Sequence, residues 1–417
     1  MTPAAHPAPP VRDRAALVRR NTLLLALAQA ALLVVTQGIL TVGTVAAVDL
    51  TGREGAGGLL FAIALGSAAV GAPVFGAMMD RRGRRPGLLA GYGLLALGSL
   101  TSALAARIGA APALLAAAVP LGLGMGAAQL GRGAVADMHP VEERGRAVGL
   151  LLLAGVFGAV AGPFLVPASR ALAEGRGADP DVAPWLLLAA AATVGGGLVA
   201  ALRPDPRDLA ADGPQALAGP RRPPSRLLRV PSFRVALLVT AVSQMSMVGI
   251  MGVTPVVIHR HGGGALLVST AISGHLVGMY AFSPAFGWLV DRAGRRAGLA
   301  LGGGVSAAGA LLAAALQGGP LLGVALFLVG LGWSAAYVSV TAVISDVTEP
   351  QERAAALGLA DLLASVASTA AALLGGLALE AVGFTPLALG MTALLLPTVA
   401  VAVQVREARV GVPADLG

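Results

Sequence analysis

Two ionisable residues, Asp361 and His275, stand inside long apolar stretches of this 417-residue sequence. A charge is costly in such surroundings, so each residue is a candidate for function. Asp361 follows Arg353 by eight residues. Its position suits proton or cation coupling or contact with a substrate. The alternative is a buried structural ion pair with a basic residue of the turn. His275 can change charge near neutral pH. It suits proton transfer or substrate binding and, equally, a hydrogen bond between two helices.

Several other kinds of chemistry are excluded. The sequence has no cysteine, so disulfides and thiolate metal sites are impossible. His259 and His261 fall in a loop, and no second ligand lies at helical spacing from His275, so we expect no metal site. No two catalytic groups are placed to meet, which argues against an enzyme. No Walker pattern occurs, so we expect an ion gradient, namely a proton gradient, as the energy source and no cofactor.

The elements that position these residues are membrane spans. Apolar residues make up 56% of the sequence and charged residues 12%, where a soluble domain has about a quarter charged. A span needs about 20 apolar residues. Runs of that length occur at 21–48, 57–78, 86–106, 112–136, 147–167, 184–202, 235–258, 265–289, 297–316, 321–345, 354–379 and 385–404. The first run is too long for a signal peptide, so we expect it to be retained.

A repeat divides these runs into two sets of six. The stretch Gly76–Arg85, which follows the second run, recurs as Gly287–Arg296, which follows the eighth. A second pair, Asp137–Gly149 and Asp346–Gly358, follows the fourth and tenth runs. The sequence therefore predicts an all-α membrane protein with twelve transmembrane helices in two pseudo-symmetric six-helix bundles.

Arginine placement predicts the domain order and the orientation. We expect a cytoplasmic tail (1–20), a first bundle (21–202), a basic linker (203–234), a second bundle (235–404) and a second tail (405–417). All 29 basic residues are arginine, and 23 of them fall on one side if both termini are cytoplasmic. This bias favours a protein of the cytoplasmic (inner) membrane with both termini in the cytoplasm. We further expect a monomer whose partners are the lipid bilayer and a small-molecule substrate, with no nucleic acid.

At the repeated turns the chain resembles the major facilitator superfamily, whose pattern G-x-x-x-D-R-x-G-R-R fills the turn between spans two and three. The resemblance implies a latch that holds the halves together on the cytoplasmic side when the carrier opens outward; topology anchoring alone is the alternative. The residues that would form this latch are Gly76, Asp80, Arg81, Gly83, Arg84, Gly287, Asp291, Arg292, Gly294 and Arg295, with Asp137, Arg144, Asp346 and Arg353 of the second repeat.

Spans five and four match the family's proton-coupled exporters in part. Span five has the small residues and the helix bend at Gly162 and Pro163 that these exporters share, although ordinary packing explains them equally well. Many of these exporters carry an arginine in span four, but at about that position this chain has Ala118. Arg132, nearer the cytoplasmic end, is expected to be a loop-facing anchor.

In this family spans one, four, seven and ten line a central cavity, which implies a set of substrate-cavity candidates with polar, aromatic or adaptable side chains. Trp333 and Tyr337 are four residues apart and share a helix face. A methionine or a single glutamine in a membrane helix can instead serve helix packing. The candidates are Gln29, Thr36, Gln37, Gln129, Gln244, Met245, Trp333 and Tyr337.

The expected function is therefore secondary active transport of a small organic solute by alternating access, as proton-coupled efflux (antiport). Uptake by proton symport or by facilitation is the alternative, because span four lacks the exporter arginine. A membrane sensor or scaffold that does not transport is a remote second class.

Overall fold

A computed structural model describes residues 11–210, 224–316, 319–348 and 350–405. Within these residues, twelve helices are long and apolar enough to cross a membrane, which confirms the twelve predicted runs. They are α1 (Arg14–Thr51), α2 (Gly55–Arg82), α3 (Arg84–Ile108), α4 (Ala111–Met138), α5 (Arg146–Glu174), α6 (Ala183–Ala200), α7 (Pro231–Arg260), α8 (Ala265–Ala293), α9 (Arg295–Ala315), α10 (Pro320–Val347), α11 (Ala355–Val382) and α12 (Phe384–Gln404).

Several of these helices are interrupted. Helix α7 breaks after Met251 and resumes at Thr254, and α8 breaks after Tyr280 and resumes at Ser283. In each case a proline at the second position of the new segment lacks the N–H that would continue the ladder of hydrogen bonds. Helix α1 contains a π turn, Ile39–Gly43, and α4 has a short break at Leu130.

The helices pair in the same way within each half. In the first half α1 packs on α5 and α6, α2 on α4, and α3 on α4 and α6. In the second half α7 packs on α11 and α12, α8 on α10, and α9 on α10 and α12. Each pairing reappears six helices later, so the structure carries the twofold repeat that the motifs indicate.

The halves meet mainly through two helix pairs, α2 with α11 and α5 with α8, and the ends of α1 and α7 also touch. Small residues allow the first pair to approach closely. A Cβ added to Gly58 on α2 would lie 2.5 Å from the Cα of Gly376 on α11, so a larger side chain would not fit there.

The ends of the bundles differ from the expected tail and linker. Ahead of its spanning part, helix α1 extends back to Val11, and Arg14 and Arg20 near its start donate hydrogen bonds to the carbonyls of Ala210 and Ala201. The expected tail of residues 1–20 is therefore helical from residue 11. The start of the linker packs against the protein, since it forms the short helix Pro206–Leu209, whose two end residues are buried. Residues 1–10, 211–223 and 406–417 of the predicted tails and linker lie outside the described residues.

Candidate functional site

Consecutive spanning helices run in opposite directions, so their turns alternate between two ends of the molecule. We call the end that holds the α2–α3, α4–α5, α8–α9 and α10–α11 turns the arginine-rich face, and the other end the opposite face. The predicted latch residues lie on the arginine-rich face. The two faces hold different kinds of ion pairs.

On the arginine-rich face of the first half, Arg84 joins two acidic side chains. Its guanidinium lies 2.8 Å from Asp137 and 3.1 Å from Asp80. Arg144 donates to the carbonyls of Ala136, at 3.0 Å, and His139. The two repeated motifs of this half are therefore tied to each other.

The second half repeats this arrangement. Arg295 lies 2.8 Å from Asp346 and 3.5 Å from Asp291, and Arg353 donates to the carbonyl of Ser345 at 3.0 Å. Each arginine cluster thus joins two turns of its own half. In this conformation the described ion pairs of the predicted latch do not run from one half to the other.

The remaining latch candidates have simpler environments. Gly83 and Gly294 have φ values of +97° and +90°, which the tight turns require. A small residue such as Gly76 can let a neighbouring helix approach closely, but here a Cβ added to Gly76 would meet Leu130 at 3.7 Å, an ordinary contact. A Cβ added to Gly287 would meet nothing within 4 Å. Neither glycine marks a close helix contact in this conformation.

Arg81 and Arg292 make lesser contacts on the arginine-rich face. Both side chains are exposed. The backbone carbonyl of Arg81 accepts a hydrogen bond from Arg207 at 3.4 Å. The Arg292 guanidinium lies 4.8 Å from the ring centre of Trp288, a cation–π contact.

Asp205, which the sequence analysis did not single out, caps the N-terminus of α3. Its carboxylate accepts hydrogen bonds from the backbone N–H groups of Arg84, at 3.0 Å, and Arg85, at 2.9 Å. A carboxylate is favourable there because the helix N-terminus is positive. Asp80 does not cap a helix in this way, since its side chain is largely exposed and binds Arg84. An acidic residue between two prolines was the only signal for Asp205.

Three ion pairs of the opposite face run between the halves. Arg53 and the N–H of Gly55 both bind Glu380, at 3.1 and 3.0 Å. His259 lies 3.3 Å from Asp49. A third pair joins Arg260 to Glu54. Sequence reasoning missed these pairs, since it placed their residues in separate loops.

Apolar packing agrees with these ion pairs. One buried cluster contains Leu40 and Phe61 of the first half together with Ile250 and Val256 of the second. A different cluster, which includes Val343 and Ile344 towards the arginine-rich face of α10, is formed by the second half alone. The structure is therefore closed at the opposite face.

A mainly apolar cavity lies in the second half, between α7, α10 and α11. Four predicted residues line it: Gln244, Trp333, Tyr337 and Asp361. The Trp333 indole donates to Gln244 at 2.9 Å, and the Gln244 amide donates to Ser368 at 2.9 Å.

The aromatic residues of this cavity form a small stack. The rings of Trp333 and Tyr337 lie parallel within 14°, with centres 5.0 Å apart. Tyr280 meets Trp333 edge to face at 6.5 Å. Ser243 also lines the cavity, and its hydroxyl oxygen is buried without a hydrogen-bond partner among the described residues.

Asp361 faces a residue of the other half. One of its carboxylate oxygens lies 4.0 Å from the guanidinium of Arg132, and the two side chains are 58% and 53% exposed. Arg132 therefore points across to α11 and is not a loop-facing anchor as expected. Asp361 thus has a basic partner, but both side chains are more than half exposed, so the pair is not a buried one.

His275 is placed away from the cavity. It is fully buried, and its Nδ1 lies 2.7 Å from the carbonyl of Leu326 on α10. Its Nε2 is buried without a partner in the described part of the chain. This geometry provides the helix-to-helix hydrogen bond of the sequence analysis and leaves one nitrogen unused.

The first-half candidates are not brought to this cavity. Gln29 is buried beside Gly155, Thr36 bonds the carbonyl of Leu32 on its own helix, and the Gln37 carbonyl oxygen is buried without a described partner. Gln129 is half-buried.

Met245 is also half-buried. It packs against the apolar cluster that joins the halves, which matches the packing alternative for that residue.

Gly162 and Pro163 lie where α5 contacts its neighbours. Pro167 has no N–H to bond the carbonyl of Pro163 four residues earlier, and the Ser269 hydroxyl of α8 donates to that carbonyl at 2.5 Å. Ser273 of α8 donates to the carbonyl of Val160 at 2.8 Å. A Cβ added to Gly162 would approach the Cα of Val34 to 3.1 Å. Pro167 thus leaves one backbone acceptor free for the other half.

Twelve spanning helices in two repeated halves, with a cavity and charge clusters at one face, define a membrane transporter. The family model of the Major Facilitator Superfamily matches residues 23–273 and 236–415. The chain belongs to this superfamily. It is a secondary transporter of a small solute and not an enzyme.

Two relatives and one solved structure illustrate the similarity. The chain is 31% identical to the MFS-type transporter YddS of Bacillus subtilis over 375 residues, covering 86% of this chain and 85% of that one. It is 27% identical to the riboflavin transporter RfnT of Brucella anthropi, covering 56% and 57%. The xylose transporter XylE of E. coli, in a partially occluded inward-open conformation, has the same fold with a TM-score of 0.66 and 18% identity, over 95% of this chain and 100% of XylE.

Proposed function

We propose that the protein exports a small organic solute in exchange for protons, with Asp361 as the proton-coupling carboxylate. The observation that carries this proposal is the position of Asp361, on the wall of a mainly apolar cavity and opposite Arg132 of the other half. A carboxylate in such a cavity can be protonated and deprotonated as the cavity opens to either side.

The contact with Arg132 would link protonation to movement. When Asp361 is ionised, its negative charge attracts Arg132 and favours a short distance between α4 and α11. When it is protonated, that attraction is lost and the halves separate more easily at this face. Proton occupancy would thus change the balance between two conformations, as coupling requires.

The arginine-rich face is proposed to be cytoplasmic, in the inner membrane, because most arginines lie in its turns. The structure would then be open towards the cytoplasm and closed to the outside by the ion pairs at Glu380, Asp49 and Glu54. His275 is kept as a second coupling candidate because its Nε2 is unused.

Proton symport for uptake is the second candidate function. It is favoured by Ala118, which is buried where many exporters carry an arginine. Export by antiport and uptake by symport differ in the direction of the pH gradient that drives accumulation of the solute, so a flux assay can separate them.

The test uses proteoliposomes of the full chain with a pH dye in the lumen, screened with a solute panel that includes riboflavin, because of the relative RfnT. Antiport predicts accumulation of a solute when the lumen is more acidic than the outside, with an alkaline shift of the dye. Symport predicts accumulation under the reverse gradient. Downhill movement that ignores pH would contradict proton coupling.

Variants assign the coupling residue. Asp361→Asn should abolish gradient-driven accumulation and retain exchange of labelled for unlabelled solute. His275→Gln should leave the response to pH intact if the histidine only joins helices. The control is Asp181→Asn, which removes an exposed carboxylate paired with Arg170 on the opposite face. If Asp361→Asn retains accumulation and His275→Gln loses it, the histidine is the coupling group.

A further inference from the structure

The cavity of the second half contains a preformed aromatic surface. Trp333 and Tyr337 are stacked, and the amide of Gln244 uses its acceptor on the Trp333 indole and its donor on Ser368. These bonds fix the side-chain positions before any ligand arrives. Tyr337 is 51% exposed, so part of its ring surface is free to stack on another ring.

A negative charge lies in the same cavity as this surface. Asp361 and Tyr337 both line the cavity, and the side chain of Asp361 is more than half exposed. A cation near an aromatic face is attracted by the ring as well as by a carboxylate. The pocket therefore has two features that favour a positively charged ring compound.

The partner of Asp361 is held loosely. Its distance to Arg132 is 4.0 Å, against 2.8 Å for the Arg84–Asp137 and Arg295–Asp346 pairs of the same face. An exposed pair at that distance contributes little and can be exchanged. Arg132 belongs to the other half, so it can leave without disturbing the wall of the pocket.

One further polar group in the pocket has no described partner. The buried hydroxyl of Ser243 lines the same cavity, on the helix that carries Gln244. A buried hydroxyl without a hydrogen bond is costly. The oxygen itself has almost no accessible surface, so a polar group on a bound solute would satisfy it only after a shift of the side chain.

We infer that this pocket binds planar aromatic cations, with the ring against Tyr337 and the positive charge at Asp361 in place of Arg132. Arg132 is then a competing counter-ion supplied by the protein itself. Binding would free Arg132 and remove a tie between α4 and α11. The inference rests on the proposed transport function, for which it names the substrate class.

The test measures binding to the full chain in detergent, without a pH gradient. Three two-ring compounds of similar shape serve as probes: N-methylquinolinium (positive), quinoline (neutral at neutral pH) and naphthalene-2-sulfonate (negative). Equilibrium dialysis gives the Kd of each. We expect the cation to bind about tenfold more tightly than quinoline, and the anion to bind most weakly.

Substitutions give effects of opposite sign. Asp361→Asn should weaken binding of the cation about tenfold and leave quinoline unchanged. Arg132→Gln should strengthen binding of the cation about threefold, since the competitor is gone. A misfolded variant would not bind more tightly, so this gain cannot be a folding effect. Tyr337→Leu should weaken both quinoline and the cation, whereas Tyr337→Phe should not.

The control is Arg170→Gln, which removes a guanidinium from an ion pair remote from the cavity and should leave all three Kd values unchanged. Tighter binding of naphthalene-2-sulfonate than of the cation, or an unchanged cation Kd in Arg132→Gln, would overturn the inference. Failure of the transport proposal looks different, since N-methylquinolinium would bind as described while no solute flux responds to pH.

Discussion

The two faces of the molecule use charged residues in different ways. On the opposite face, acidic and basic side chains from different halves pair with each other, as Glu380 does with Arg53 and Asp49 with His259. On the arginine-rich face, Arg84 and Arg295 each bind carboxylates of their own half. The structure is thus held closed at one face by ion pairs between the halves. At the other face the 2.8 Å ion pairs lie within each half, and the halves are joined by the longer Arg132–Asp361 contact, at 4.0 Å.

This difference explains why the repeated motif and the cavity have separate roles. The motif is present in both halves and makes the same contacts in both, so it stabilises the turns irrespective of the solute. The cavity belongs to one half, and its acidic residue has no counterpart, since Leu152 stands at the equivalent position in the first half. Solute chemistry is therefore expected where the two halves differ.

The largest expected effect comes from locking the opposite face. Because the chain has no cysteine, Asp49→Cys with His259→Cys introduces one reactive pair across the halves. A short thiol cross-linker should abolish solute flux, and a reductant should restore it, because transport requires this face to open.

The matched control places the cysteines at Arg170 and Asp181, which pair within the first half on the same face at 2.8 Å. Cross-linking there should leave flux intact. Undiminished flux through the cross-linked Asp49–His259 variant would mean that the opposite face does not open as a gate.

A smaller effect is expected from wedging the halves apart. Gly58→Val adds a side chain where even an added Cβ would lie 2.5 Å from the Cα of Gly376, and overpacking of this kind costs ~1–3 kcal/mol. The conformation in which the opposite face is closed should become less populated. A cysteine at the buried Ala62, between the halves, should then react about tenfold faster with an impermeant maleimide.

The control is Gly93→Val on α3, where an added Cβ meets nothing within 4 Å, and the labelling rate should not change. If both valine variants label Ala62→Cys at the same rate, the contact between Gly58 and Gly376 does not hold this face closed.

The smallest effect tests the equivalence of the two arginine clusters. Arg84→Gln and Arg295→Gln each remove a guanidinium between two carboxylates of one half. We expect both to lower the melting temperature equally, by about 3 °C. Arg82→Gln, an exposed arginine of the same turn, should change it less. A large difference in melting temperature between Arg84→Gln and Arg295→Gln would show that one cluster contributes more to stability than the other.

The spans and the turns could be predicted from the sequence because they depend on local quantities. The length of an apolar run is set by the thickness of a bilayer, and the positive φ of Gly83 follows from a tight turn. Trp333 and Tyr337 were placed together by helical spacing alone.

Contacts between distant segments could not be predicted in this way. Asp361 was recognised as unusual, but its partner Arg132 was expected to face a loop from the end of span four, because hydropathy does not say how helices rotate or which faces meet. Asp205, Glu380 and Asp49 were missed for the same reason. Each acts on a residue more than a hundred positions away, and only the packing of the helices brings them together.

Distances across the two faces, measured together, test alternating access most directly. Spin labels at Arg82 and Ala293, exposed residues at equivalent positions of the arginine-rich turns, report one face. Labels at Ala178 and Ala381, exposed near the opposite face of the two halves, report the other. Pulsed electron paramagnetic resonance gives both distances in lipid nanodiscs. The measurements are made in acidic and in alkaline buffer, with and without transported solute. We predict that whenever the Ala178–Ala381 distance lengthens, the Arg82–Ala293 distance shortens. Two distances that stay fixed, or change in the same direction, in a protein that still transports would contradict the account.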